Sequence, residues 1–107
     1  MSVVNFSHPE DFLEELEKDK DKVDRGIVRL VYSFTPSKLS PNIQHLSVVA
    51  TALVAGQVYR LEHYCGDLWH IESQDNPIHE KGKRIKRLIE ERCAALGLEV
   101  QGGAIAE

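Results

Sequence analysis

From Leu46 to Ser73 the chain can be folded into three antiparallel strands whose two faces differ, one almost wholly apolar and the other mixed. Gly56-Gln57 and Gly66-Asp67 separate the strands. Treating each as a two-residue hairpin turn predicts strands over residues 44–55, 58–65 and 68–73. Counting outward from the turns sets Ala55 opposite Val58, Ala50 opposite His63, Cys65 opposite Leu68 and His63 opposite His70. One face then holds Leu46, Val48, Ala50, Ala52 and Val54 with Tyr59, Leu61, His63, Cys65, Leu68 and His70, and is almost wholly apolar. A slip of one residue in the first turn would exchange the faces, and the consistency of the apolar face supports the stated register.

Upstream, Ile27 to Thr35 is a β-branched and aromatic run halted by Pro36, with Val28, Leu30, Tyr32 and Phe34 on its inward face. Ser7 and Glu10 have the spacing of a capping box, and Pro9 suits the first turn of a helix reaching about Lys20. Its stripe is narrow, only Phe12, Leu13 and Leu16, which suggests a lid rather than a core element. Downstream, Asn76-Pro77 opens a second helix whose stripe of Ile78, Gly82, Ile85, Leu88, Ile89, Cys93 and Leu96 recurs at helical spacing up to Gly97. Gly82 on that stripe would let the helix approach Ala50 and Ala52. Residues 98–100 add a short strand at most, and residues 102–107 read as a tail.

The order α-β-β-β-β-α predicts an α+β sandwich of two layers, a four-stranded and mainly antiparallel sheet with both helices on one face. The 107 residues, 42% of them hydrophobic, fit a single domain spanning 1–107. The formal charge of −4 provides no global basic field toward phosphate backbones or anionic lipid. The N-terminus lacks a basic start and a long apolar run, and no apolar stretch approaches the ~18 residues that span a bilayer, so a cytoplasmic protein without membrane contact is expected. Cys65 and Cys93 are far apart and show no CxxC spacing, as expected of buried, reduced thiols.

With both helices on one face, the other face of the sheet is left bare. It carries Arg29, Val31, Ser33, Val49, Thr51, Leu53, Arg60, Glu62, Tyr64, Trp69 and Ile71, too apolar a set for an ordinary solvated face. Tyr64 and Trp69 would form a cross-strand pair about the Gly66-Asp67 turn, which by itself supports the hairpin. Exposed apolar patches with Trp, Tyr and Arg also anchor partners. On this basis the expected function is non-catalytic, a regulator, adaptor or subunit that associates with a protein partner or with itself through Arg60, Tyr64 and Trp69.

Two other chemistries are legible. His63, Cys65 and His70, with Glu72, share one hairpin face in this register and could ligate Zn²⁺, although that face also carries the core. His45 and His79 could act as acid–base partners in a small enzyme, but no serine sits in a nucleophile elbow and no carboxylate pair is fixed by spacing. No cofactor is implied.

Lys81, Lys83, Arg84, Lys86 and Arg87 form the one local basic cluster, in the first half of the last helix where the dipole favours acids. An α-β-β-β-α order with a basic start to the last helix resembles the double-stranded RNA-binding domain. That resemblance implies phosphate contacts from Lys83, Arg84, Lys86 and Arg87. The chain departs from the pattern by an extra strand and by lacking a Gly-Pro-containing loop between its first two strands, so the likeness is one of element order. Pairing of Glu80 with Arg84, and of Lys86 or Arg87 with Glu90 and Glu91, accounts for the same charges without a ligand.

Overall fold

A computed structural model of the chain describes residues 2–40, 42–69 and 77–106. In chain order these form strand β1 (Val3–Phe6), helix α1 (Pro9–Lys18), strands β2 (Ile27–Pro36), β3 (Ile43–Val54) and β4 (Gln57–Trp69), helix α2 (Pro77–Ala95) and strand β5 (Glu99–Ala106). Two short 3-10 turns, Lys20–Lys22 and Asp24–Gly26, link α1 to β2. The class is α+β, but the sheet has five strands in the order β1-β4-β3-β2-β5 and is mixed. The central pairings β4·β3 and β3·β2 are antiparallel, while β1 joins β4 and β5 joins β2 in parallel. Each parallel strand is reached by a crossover that carries a helix, as parallel pairing requires.

Both added strands lie at the edges. The Val3-Val-Asn-Phe6 segment is only four residues long, too short to register as an alternation. β5 continues through the Gly102-Gly103 pair that reads as a tail in sequence, with a register shift between Leu30 and Tyr32 of β2.

The hairpin between β3 and β4 turns on Ala55-Gly56, because Val54 pairs with Gln57. Both turn residues have positive φ, 50° and 82°, the backbone of a type I′ turn. Ala50 therefore faces Leu61 and Val48 faces His63. The strands slide by two residues relative to the register expected from sequence, and an even slide leaves every side chain on its expected face.

Gly66-Asp67 is not a turn. β4 runs straight through it to Trp69, and the ladder shifts between Leu46 and Ser47, so that Tyr64 pairs with Ser47 and Gly66 with Leu46. The extra residue is a β-bulge, with Gly66 at φ 148° against the Ile78 side chain of α2. Both a two-residue turn and a bulge change the parity of the chain, and this is why Cys65 and Leu68 share the buried face in either case. Residues 70–76, which include the expected continuation of the fourth strand and the expected N-cap Asn76, lie outside the described residues.

The core occupies the space between the helices and one face of the sheet. Phe12, Leu13, Leu16, Val28, Val48, Ala50, Leu61, Ile89 and Cys93 have no exposed surface. The narrow stripe of α1 is thus core, not lid: three large residues on adjacent positions suffice when α2 and β4 close over them. Each such side chain contributes up to ~1.5–3 kcal/mol on removal from water. The N-cap of α1 is His8, without a side-chain cap, so the Ser7–Glu10 box does not form. Gly82 is buried against Tyr32 and Leu46 rather than against Ala50 and Ala52.

Candidate functional site on the open sheet face

The outer face of the sheet is uncovered by any described residue, and its registers order the side chains into rows across the strands. The first row is Val3, Val58 and Leu53; the second is Asn5, Arg60, Thr51 and Arg29. Glu62, Val49 and Val31 follow, then Tyr64, Ser47 and Ser33, then Asp67, His45 and Thr35, and last Trp69 with Ile43. Successive rows are two residues apart, about 7 Å along the strands.

Apolar groups gather at the two ends. At these ends Trp69 is 51% exposed, Val3 51% and Leu53 36%, while Tyr64, 53% exposed, lies nearer the middle, two rows from Trp69. At the first end a shallow depression is lined by Ile27, Leu53 and Val58 with Arg25 and Arg29. The other end holds a second depression, lined by Thr35, His45, Glu62 and Tyr64, with buried Ser47 between them.

Beside this second depression is a polar cluster that the bulge assembles. Asp67 directly faces His45 across the strands. Its Oδ1 accepts hydrogen bonds from the Tyr64 hydroxyl and from His45 Nδ1. The His45 and Tyr64 rings meet edge to face, with centroids 5.8 Å apart at 76°. The hydrogen bond from Tyr64, and then that from His45, hold the Asp67 carboxyl below its ordinary range. The same bond raises the Tyr64 hydroxyl, which burial and the Asp67 charge push in the same direction. In the second and third rows, Arg60 Nη1 lies 2.8 Å from Glu62 Oε1 along β4.

Arg60, Tyr64 and Trp69 therefore share the open face. Tyr64 and Trp69 are not a cross-strand pair, however: both lie on β4, on either side of the bulge, opposite Ser47 and Ile43 respectively. The cations of the last helix lie in the other layer. Lys83 and Arg87 are exposed on α2 with Arg84, and Lys86 is partly covered. Lys83 pairs with Glu80 at 3.4 Å and Lys86 with Glu90 at 3.9 Å, whereas Arg84 and Arg87 make no ion pair among the described residues.

His63 and Cys65 are neighbours on the inner side of β4. Nδ1 of His63 is 3.0 Å from the Ser7 carbonyl oxygen, and the Cys65 thiol donates to the His63 carbonyl at 3.7 Å. Burial pushes the Cys65 thiol up despite the opposing effect of Lys81, so it stays protonated. The third residue of that candidate set, His70, lies outside the described residues, as do Ile71 and Glu72. Among the described residues no three His, Cys, Asp or Glu side chains are grouped to hold a metal ion. His79 contacts Phe34 on the helix side, with ring centroids 6.5 Å apart, so it and His45 are separated by the sheet.

The cluster of His45, Asp67 and Tyr64 carries no signal in sequence, because only the true β3·β4 register brings residue 45 opposite residue 67. No helix among the described residues is long and apolar enough to cross a membrane. Comparison with protein-family models, with curated proteins and with solved structures finds no match for this chain.

Proposed function

We propose that this protein works by association, as a non-catalytic regulator, adaptor or subunit whose working surface is the open face of its sheet. The observation that carries this reading is the bare face itself, with half-exposed Trp69 at one end, Val3 and Leu53 at the other and half-exposed Tyr64 between them. Trp69 is the apolar anchor, Tyr64 is held in place by Asp67, and Arg60 gives polar specificity. Side chains fixed before contact lose less freedom on binding, and the hydrogen bonds around Asp67 do that for three of them.

A photo-crosslinking residue in place of Trp69, with a second variant carrying it in place of Arg84, tests this in cells. Adducts from position 69 and not from position 84 are the expected result. Adducts from position 84 alone would overturn it.

Arg84 and Arg87, exposed and without an ion pair among the described residues, favour a second reading, a nucleic-acid-binding module that grips phosphates with Lys83, Arg84, Lys86 and Arg87. Phosphate contacts release counterions, so this reading requires an affinity for duplex RNA or DNA that falls steeply between about 50 and 200 mM salt.

A further inference from the structure

We infer that the partner of the open face is a second copy of this chain, stacked sheet to sheet about a twofold axis that runs across the strands. The inference rests on the association reading above and adds the identity and orientation of the partner.

A twofold axis within the plane of contact has two simple orientations. If it runs along the strands, β4 of one copy covers β2 of the other with the rows unchanged. Arg60 then meets the partner's Arg29, and Glu62 meets the partner's Val31, so one contact repels and the other buries a charge against an alkyl group. If the axis instead runs across the strands, midway between the Glu62 and Tyr64 rows, each strand covers its own copy in the opposite direction. The register then sets Glu62 over the partner's Tyr64, whose hydroxyl can face the carboxylate, Arg60 over the partner's Asp67, Val58 over the partner's Trp69 and Leu53 over the partner's Ile43. Every one of these contacts occurs twice.

In this orientation the face is complementary to itself. The apolar row at each end meets the apolar row at the other, and the Arg60 guanidinium comes between Glu62 of its own strand and the partner's Asp67. Charge pairs of this kind choose the orientation more than they add affinity, and the apolar ends supply the burial. The size also suffices. The 12 residues of β3 span about 40 Å, and β4, β3 and β2 with the short β1 are about 15–19 Å across. That footprint is roughly 600–750 Å² before side-chain relief, near the ~800 Å² per partner of a standard interface. Two sheets stacked face to face pack about 10 Å apart.

The test is the solution mass of the full chain by sedimentation, over a range of concentrations, for the natural protein and for Trp69→Ala, Arg60→Asp, Asp67→Arg and the double variant Arg60→Asp/Asp67→Arg. A dimer that Trp69→Ala weakens at least tenfold, that each charge reversal weakens, and that the double reversal restores is the expected result. A monomer throughout overturns the inference and leaves the face to a foreign partner. A dimer weakened by Trp69→Ala but indifferent to the charge reversals overturns the orientation alone. A dimer indifferent to all four variants uses another surface, and overturns both this inference and the open-face reading.

Discussion

Cys93 has no exposed surface, and burial pushes its thiol up to about 11 against a small opposing effect of Arg92. A raised pKa means that the folded state prefers the neutral thiol. Its contribution is complete below the ordinary value near 9 and is lost as pH rises through about 11, an effect on the order of 2–3 kcal/mol. Urea midpoints should fall between pH 9 and pH 11, and Cys93→Ala should flatten that limb while lowering stability at neutral pH. A slope unchanged in Cys93→Ala would show that the thiol already ionises in the folded protein. That both cysteines are free and buried was legible from their spacing and from the apolar positions around them. The role of Phe12, Leu13 and Leu16 was not, because a stripe of three residues looks marginal until its neighbours in space are known. Ser7 misleads for a related reason: the Ser-x-x-Glu spacing is met, yet the chain enters the helix through His8 because β1 fixes the path of residues 3–6.

The β3–β4 hairpin shows how a local rule can be broken and the strands still be read correctly. Type I′ turns favour Asn-Gly, and here alanine occupies the first position at φ 50°, where an L-residue with a Cβ is strained by roughly 1–2 kcal/mol. Ala55→Asn should therefore stabilise the fold by up to about 1 kcal/mol, read as a rise in the thermal midpoint; Ala55→Val should lower it. The atypical turn is why Gly56-Gln57 is the better pair in sequence, and why the register read from sequence differs from that of the structure by two residues. The faces survived, since side-chain direction depends only on parity. The same reasoning covers Gly66-Asp67, where sequence could require a parity change between Cys65 and Leu68 but could not choose a turn over a bulge. β1 and β5 were illegible for a different reason. Their pairing partners are more than fifty residues away, and neither segment shows an alternation long enough to stand out alone.

The molecule keeps its two candidate surfaces in separate layers, cations on α2 and apolar rows on the outer sheet. Neutralising the helix through Lys83→Gln, Arg84→Gln, Lys86→Gln and Arg87→Gln together should therefore leave the solution mass unchanged, whereas a shift toward monomer would place the association surface on the helices. The separation of layers was legible in sequence, because parity alone divides the strands into an apolar face and a mixed one. The polar cluster about Asp67 was not, since it needs a register that two turns and a bulge jointly decide. The sheet has a further property that follows from its order. Its two edges are the first and last strands, and β4 and β2 are kept from pairing with other chains only by β1 and β5. An unpaired edge is a template for aggregation. A fragment cut after Phe6 or before Glu99 would expose one, so the solubility of either shortened form depends on two short edge strands, the first of which also carries Val3 on the face where function is proposed.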